Sequence, residues 1–554
     1  MKAKWFITFI VLASMLGWVA VTVSEANGAG DGKSRGSGGS GGVPLQIPTE
    51  MSIHHARQVD VDSTSIPPSG SNNTQWKCGV NGGGDGINAP TSSFLQWSND
   101  NGSTWNNFPK IKGMCYAPSP IGSNSIGQMS APALGDWFWD GYLHNNNWVP
   151  NWCQLWENST NIHNHPPARA DLDAIQDLGC NTIRVYSMIT NQLNSAGSAI
   201  DFTQTFTHEQ FLVSCNQRGI SVLVEIPLPK ELYIGANPVI SENDWKTEVI
   251  NTVKETSQYP AVMGYIIQNE FNSNPFCVPK NASGLPSDGG NSQTADNYWS
   301  QVEVFAKLVK DNCSTPKLVG WSGLENPCVA SLQCQTYLEN CTSIDFYGIN
   351  TYHDVATILE PNSLIASVGY NYLQGTALKP IICTEFGWSA TGRTNPNLLP
   401  PDLYAAANIY EDDLTISIVV TQLNKWLPGA FGSSIILGGC FFEFCDEWWN
   451  PGTPGDYVVT NSNSWTLWGG QATHDPNGNG WWDNVSFGLY KMTIPTNAAT
   501  TTNGCPIIYG IGPYFGPMIG DTSGQNPSKW SISKDLVPRA PIHDALKTFY
   551  QNLD

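Results

Sequence analysis

Two glutamates that each follow a short apolar run are suited to splitting a glycosidic bond. Glu270 ends the run 266–270 (IIQNE), and Glu385 ends the run 381–385 (IICTE). Two carboxyl groups that flank such a bond can act as general acid and as nucleophile. Asn269, directly before the first glutamate, adds an amide that can hold a sugar hydroxyl. The pattern therefore indicates chemistry on glycosides with retention of configuration.

Chemistry of this kind requires elements that bring the two glutamates together, and the chain has eight apolar runs separated by helical patterns. The runs cover residues 111–117, 181–186, 220–226, 262–268, 317–321, 344–350, 380–384 and 435–442. The helical patterns cover residues 168–178, 207–217, 242–257, 298–310, 330–339, 364–373, 403–426 and 542–553. Such runs are typical of parallel strands buried on both faces, and the alternation predicts an α/β fold, the (β/α)8 TIM barrel.

In this barrel Glu270 ends strand four and Glu385 ends strand seven, at the face where TIM barrels carry their active sites. The alternative is a pair of surface glutamates, which fits poorly because both residues end apolar strands in the same register. The sequence therefore predicts that the two carboxyl groups face each other across one cleft.

The segments outside the barrel strands suggest an exported protein. Residues 1–29 carry Lys2 and Lys4 before a long apolar run, which predicts a signal peptide or an uncleaved signal anchor. Residues 30–42 read as a Gly/Ser linker and residues 43–108 as an N-terminal extension. Residues 109–554 are assigned to the catalytic barrel, with a long insertion at 448–538 after strand eight. We expect a secreted, extracellular protein, or one held at the cell surface through its N-terminus.

The charge balance limits the class of partner. The chain has 46 acidic and 26 basic residues, a formal net charge of −20, which argues against nucleic acid and anionic membranes as partners. Its 22 tryptophans offer flat faces for stacking on sugars, although most are expected in the core. We predict a polysaccharide or oligosaccharide substrate, no metal and no cofactor. No obligatory membrane partner is expected beyond the N-terminal anchor.

The cysteines also fit export. Fourteen cysteines are typical of a secreted protein with disulfides. Cys115 and Cys383 fall on predicted barrel strands and are expected to be buried thiols. Cys440 and Cys445 are close enough in sequence to be members of a bridge, although spacing alone does not give the connectivity.

Five short motifs resemble one family of the clan that carries its acid/base on strand four and its nucleophile on strand seven. They are 181–187 (NTIRVYS), 269–270 (NE), 319–322 (VGWS), 344–352 (IDFYGINTY) and 384–387 (TEFG). Together they resemble the fungal-type β-1,3-glucanosyltransferases of glycoside hydrolase family 72, over roughly residues 110–390. The resemblance implies that Glu385 is the nucleophile and that Glu270 is the acid/base.

The same resemblance implies roles for four neighbours. Asn269 would bind the sugar 2-hydroxyl, with a strand-capping amide as the alternative. Tyr352 would donate to the nucleophile and keep it ionised, and Tyr186 would line a subsite; packing in the core is the alternative for both. Arg184 on strand two would face the nucleophile, and a structural salt bridge is its alternative.

Other residues compete or extend the site. Trp388 is expected to line the cleft, and Trp448 and Trp449 are expected to form a stacking platform for sugars. Glu225 ends strand three, and Glu443 after strand eight is the second choice as nucleophile.

Two classes of function stay open at this point. The first is a retaining glycosidase or transglycosylase on β-linked glucan, with β-1,3-glucan ahead of β-mannan and the substrates of other β-glycanases in the clan. The second is a carbohydrate-binding surface protein that kept the barrel and lost catalysis. The complete carboxylate pair favours the enzyme.

Overall fold

Eight parallel strands form a closed barrel. The computed structural model describes residues 73–82, 92–118, 136, 138–140, 142–144, 147–149, 156, 169–193, 199–203, 205–229, 231–234, 240–269, 292–324, 337, 340–352, 379–388, 413–445, 487–492 and 536–553. Barrel strands one to eight are Ile111–Cys115, Thr182–Val185, Ser221–Ile226, Val262–Ile267, Leu318–Leu324, Phe346–Thr351, Ile381–Phe386 and Ile436–Phe441. Each strand pairs with the next, and strand eight pairs with strand one. The predicted (β/α)8 barrel is confirmed.

The strands are buried on both faces, as their apolar sequences require. Every residue of strands two, three, four, six, seven and eight is buried. Gly438, at φ 126°, lies against the Ile111 backbone, where a side chain would collide. A residue other than glycine would be strained at this position, where strand eight closes onto strand one.

Helices surround the barrel in the predicted order. The longer ones are Asp171–Asp177, Glu209–Gln217, Glu242–Thr256, Ser292–Asn312, Asp413–Gly432 and Ala540–Asn552, and a short helix is Glu231–Ile234. In Glu242–Thr256, Trp245, Val249 and Val253 recur four residues apart and are all buried, so one face of this helix packs on the barrel. The predicted helices at 330–339 and 364–373 lie outside the described residues.

The helix before strand eight differs from its prediction. The sequence predicts a helix over residues 403–426, of which 403–412 lie outside the described residues. The observed helix continues through Pro428 to Gly432. Leu427, Ala430 and Phe431 are buried in the core. Burial of these apolar side chains outweighs the backbone hydrogen bond that proline cannot make.

A three-stranded antiparallel sheet closes the amino-terminal end of the barrel. Its strands are Gln75–Asn81, Ser92–Ser98 and Asn106–Asn107. The backbone N–H of Trp76 donates to Pro316 O over 3.0 Å, and that of Ser93 donates to Ser434 O over 2.7 Å. Trp76, Leu95, Trp97 and Phe108 join the apolar cluster that fills the barrel interior. This sheet, called the bottom sheet below, therefore seals the barrel from the side opposite the predicted site.

Within the described residues, three further pairs of short strands are present. They are Tyr142–His144 with Asn147–Val149, Gln192–Leu193 with Ile200–Asp201, and Tyr490–Met492 with Leu536–Pro538. The last pair falls within the predicted insertion 448–538, most of which lies outside the described residues, as do segments 1–29 and 30–42. None of the described helices is long and apolar enough to cross a membrane.

Cys440 and Cys445, which the sequence suggested as bridge members, do not bridge to each other. Cys440 has a free thiol that lies beside the Cys115 thiol in the barrel interior. The Cys445 thiol instead donates to Ala117 O over 3.2 Å, in the layer between barrel and helices. Strand eight ends between the two cysteines, and this places their side chains in different layers of the core. Cys115 and Cys383 are both buried, as expected.

Candidate active site

Glu385 lies near the carboxyl end of barrel strand seven, and its carboxylate is the centre of a converging set of donors. The residue is only 2 % exposed. A buried carboxylate is costly unless it is paired and hydrogen-bonded. Its partners are therefore the first indication of what the site does.

Arg184 of strand two supplies the charge partner. Its side chain is fully buried, and its Nη1 donates to Glu385 Oε1 over 2.8 Å and to the Thr384 carbonyl oxygen over 3.1 Å. Its Nη2 donates to Glu225 Oε2 over 3.0 Å and to Asn269 Oδ1 over 2.8 Å. The planar guanidinium thus holds groups from strands three, four and seven in one fixed arrangement.

Two tyrosines donate to the same carboxylate. Tyr186 donates its hydroxyl to Glu385 Oε1 over 2.8 Å, and Tyr352 donates to the other oxygen, Oε2. Both rings pack edge-on against Phe442, and the Tyr352 ring also contacts Phe487. Because rings and hydroxyls are both fixed, the carboxylate has little freedom to rotate.

Asn269 reaches the site from the end of strand four. The preceding residue, Gln268, adopts a left-handed conformation with φ 64°, which turns the chain sharply after the strand. The Asn269 side chain accepts from Arg184 and from Asn350 Nδ2, the latter over 2.8 Å, and donates to Glu385 Oε1 over 3.4 Å. Glu270 is the next residue in the chain and lies outside the described residues.

A polar layer beneath the carboxylate supports these residues. Thr384 Oγ1 donates to Asn350 Oδ1 over 2.7 Å, and Ser322 Oγ lies 2.7 Å from Thr384 Oγ1. All three are fully buried. The sequence motifs contain these residues, but the sequence does not predict them as site residues. The signal that could have found them is a polar residue on an otherwise apolar, doubly buried strand, since such a residue needs a partner.

Glu225 also belongs to this group of residues. Its carboxylate accepts from Arg184 at the end of strand three, and the residue is nearly buried. Burial raises the pKa of Glu225 to about 7; Arg184 opposes this rise, and the neighbouring Glu385 adds to it. The side chain is therefore poised between a neutral and a charged form near neutral pH.

The remaining predicted residues are distributed differently. Glu443, the rival nucleophile, is buried after strand eight, and the ion pairs of Arg184 within the described part of the chain go to Glu225 and Glu385. Trp388 is half-buried and packs against the core. Trp448 and Trp449 lie outside the described residues. Phe487, which contacts Tyr352, was missed because it falls in the insertion, far from any strand motif.

No cluster of three or more metal-binding side chains occurs in the described segments. The site instead offers a carboxylate held by an arginine, an amide and two phenols, next to a second carboxylate. This arrangement suits a carboxylate nucleophile that is held in one orientation.

Comparison with known proteins gives one consistent relationship. No protein-family model matches the chain. A 1,3-beta-glucanosyltransferase of Candida albicans, PGA4, is 23% identical over 318 residues, covering 56% of this chain and 58% of the relative. A second, GAS5 of Saccharomyces cerevisiae, is 23% identical over 290 residues, covering 50% of this chain and 47% of the relative. The chain shows weak but consistent homology to 1,3-beta-glucanosyltransferases.

This homology confirms the family resemblance found in the motifs. The chain spans about half the length of the curated relatives that it matches. Among solved structures, Saccharomyces cerevisiae Gas2p with laminaritetraose and laminaripentaose aligns with 13% identity and a TM-score of 0.37, over 87% of this chain and 68% of that one. A Bacteroides uniformis beta-glucuronidase aligns with 15% identity and a TM-score of 0.37, over 67% of this chain and 33% of that one. Neither superposition is close enough to support an argument about function.

Proposed function

We propose that the protein is a retaining glycosidase or transglycosylase that acts on β-linked glucan, with β-1,3-glucan as the first candidate substrate. Glu385 is the nucleophile and Glu270 the general acid/base. The observation that carries the proposal is the convergence of Arg184, Tyr186 and Tyr352 on the Glu385 carboxylate. Glucanosyltransferases among the homologues support transfer to a sugar.

The reaction proceeds by double displacement. A Glu385 oxygen attacks the anomeric carbon while Glu270 protonates the departing glycosidic oxygen, so the glycosidic bond breaks as the ester bond to the enzyme forms. In the second step Glu270 removes a proton from an incoming hydroxyl, which attacks the anomeric carbon and releases Glu385. A sugar hydroxyl as acceptor gives a longer chain, and water gives hydrolysis.

The neighbouring residues prepare the nucleophile for this attack. Arg184 and the two tyrosines orient the carboxylate before substrate arrives, so that little reorganisation is needed in the transition state. Asn269 Nδ2 makes only a long contact of 3.4 Å to Glu385. Its amide is therefore available to bind the sugar 2-hydroxyl, where hydrogen bonds strengthen in the transition state of glycosidases.

The wider properties of the chain fit an extracellular polysaccharide substrate. A net charge of −20 suits a neutral polymer better than an anionic one. Trp388, Trp448 and Trp449 would extend the cleft by stacking on sugar rings. The proposed organisation is an export segment at 1–29, a linker at 30–42, an extension at 43–108 and a barrel at 109–554 with its insertion at 448–538.

The deciding experiment incubates the purified protein with one β-1,3-gluco-oligosaccharide of a single length and measures product lengths by mass spectrometry. Products both longer and shorter than the input establish transglycosylation, and shorter products alone establish hydrolysis. Unchanged input, followed by no turnover of other β-glucans or mannans, contradicts the enzyme and favours a carbohydrate-binding surface protein.

Two variants assign the nucleophile in the same assay. Glu385→Gln should abolish product formation and retain oligosaccharide binding, because the amide keeps the shape of the carboxyl group but cannot attack. Glu443→Gln, the matched change in the rival carboxylate, should keep turnover. The reverse result would make Glu443 the nucleophile.

A further inference from the structure

Glu225 and the proposed nucleophile share one arginine. We propose that Glu225 is a positioning residue, which anchors the far side of the Arg184 guanidinium and thereby fixes the orientation of the Glu385 carboxylate. This inference rests on the proposed function, and it adds to the reaction a residue that need not touch the substrate.

The two contacts are made by opposite arms of the same planar group. Arg184 Nη1 donates to Glu385 over 2.8 Å, and Nη2 donates to Glu225 over 3.0 Å. Because the guanidinium is rigid and planar, a constraint on one arm constrains the other. Loss of the Glu225 contact would leave Nη2 held by Asn269 alone, so the guanidinium would be less firmly fixed and the donor that faces Glu385 would shift.

Strand pairing explains why Glu225 is in this place. Arg184 on strand two lies opposite Leu223 on strand three. Glu225 is two residues further along strand three, so its side chain is on the same face as that of Leu223, which belongs to the interior cluster. The carboxyl group is therefore directed to the open end of the barrel, one residue pair above the arginine. This geometry follows from the register alone.

In its neutral form, Glu225 can hold the Arg184 guanidinium while the positive charge of Arg184 stays available to Glu385. Burial raises the pKa of Glu225 to about 7. Below that pH the neutral carboxyl still accepts from Arg184 through its carbonyl oxygen, while the full positive charge is left to balance Glu385. Glutamine has the same shape and the same acceptor, so it reproduces this form.

The test is the split between kcat and KM for Glu225→Ala and Glu225→Gln, measured at pH about 5.5 with the oligosaccharide of a single length. The alanine variant should lose at least about tenfold in kcat with KM within about threefold, and glutamine should restore kcat to within about threefold of the wild type. A raised KM with unchanged kcat would make Glu225 a sugar ligand instead. An unchanged kcat in the alanine variant would overturn the proposal.

A matched control separates positioning from general destabilisation. Glu248 is equally buried, its pKa is also raised to about 7 by burial, and it accepts from the backbone N–H groups of Thr190 and Asn191. Glu248→Ala should lower Tm without lowering kcat. If Glu225→Ala does not fold, Glu225→Asp serves in its place, because its carboxyl group is one methylene further from Arg184 Nη2 and loses the 3.0 Å contact. A wild-type kcat in that variant would also overturn the proposal.

Crystal structures of the Ala and Gln variants give a readout that needs no turnover. The distance from Arg184 Nη1 to Glu385 Oε1 should stay near 2.8 Å in Glu225→Gln and lengthen in Glu225→Ala. If the wild-type protein turns over no glycan, the proposed function fails, but this distance still decides whether Glu225 positions the arginine. An unchanged distance in the alanine variant contradicts the inference.

Discussion

Both ends of the barrel bury a cation, but they give it different partners. At the carboxyl end Arg184 is held by the carboxylates of Glu225 and Glu385. At the amino end Lys317 donates to two backbone carbonyl oxygens, of Thr74 over 3.0 Å and of Tyr259 over 3.4 Å. The first cation joins side chains from several strands, whereas the second ties the bottom sheet to strand five.

The difference in partners fits the role proposed for Arg184 in the reaction and a role of Lys317 in joining the bottom sheet to the barrel. Burial with neutral partners lowers the pKa of Lys317 to about 7, so the amine can lose its charge without disturbing any ionised neighbour. Arg184 has no such option, because a guanidinium keeps its positive charge in a protein. A buried ion pair is weak support for stability, and its retention here fits a role in the reaction.

Removal of Arg184, the cation at the carboxyl end of the barrel, should have the largest effect on stability and turnover. Arg184→Met leaves two buried carboxylates without their charge partner, which we expect to cost about 3–5 kcal/mol of unfolding free energy. Turnover of oligosaccharide should fall by about a thousandfold or more, since the nucleophile also loses its orientation. Thermal unfolding and product analysis test both parts. Wild-type activity in this variant would show that the two ends are not functionally distinct.

Removal of the Trp76 indole, at the amino end of the barrel, should lower stability without changing kcat. Trp76 is buried under the bottom sheet, with its ring edge-on to Phe108 at 5.1 Å. Trp76→Ala should lower the unfolding free energy by about 3–5 kcal/mol. Denaturant unfolding measures this loss, with Trp76→Phe as the milder control. A kcat that falls by more than about twofold would mean that the bottom sheet also shapes the site.

Lys317, the cation at the amino end of the barrel, should make the unfolding free energy depend on pH. Lysine titrates near 10.4 when unfolded and Lys317 at about 7 when folded, so the unfolded state holds more protons between these values. Raising the pH from 7 to 9 should therefore stabilise the wild type relative to Lys317→Met by about 2–3 kcal/mol. Chemical denaturation of both proteins at each pH measures the difference. An equal pH dependence of the two proteins would contradict the lowered pKa.

Removal of one hydrogen bond to the Glu385 carboxylate should have the smallest effect. Tyr352→Phe removes the hydroxyl that donates to Glu385 Oε2 and keeps the ring against Phe442 and Phe487. A hydrogen bond to a charged group corresponds to about tenfold in kcat. Steady-state kinetics, with a Tm measurement as the control for folding, tests this. A change in Tm without a change in kcat would assign Tyr352 to the core.

The fold could be predicted from the sequence where complete burial requires a run of apolar residues. The eight strands are buried on both faces, so their apolar runs were visible and their order predicted the barrel. The family resemblance of the motif 181–187 pointed to Arg184, and a charged side chain in such an apolar run needs a partner. The structure places it in contact with Asn269 and Glu385, and Tyr186 and Tyr352 donate to the same Glu385 carboxylate.

The features that the sequence did not predict depend on contacts between distant segments. The bottom sheet has short strands with many polar residues, and only the alternation of Leu95 and Trp97 indicates a buried face. Phe487 comes to Tyr352 from an insertion whose path no periodicity defines. The pairing of Glu225 with Arg184 follows from barrel register, which sequence spacing does not contain. Such features require the three-dimensional arrangement of the strands.

The bottom sheet has a consequence for how the protein is made. Ser93 bonds to Ser434, about 340 residues later in the chain, so this contact must wait for the last barrel strand. At a synthesis rate of about 5–20 residues per second, the wait is roughly 17 to 70 seconds. During that time the indole rings of Trp76 and Trp97 have no complete barrel to pack against. The nascent chain therefore exposes these apolar side chains until strand eight has been synthesised.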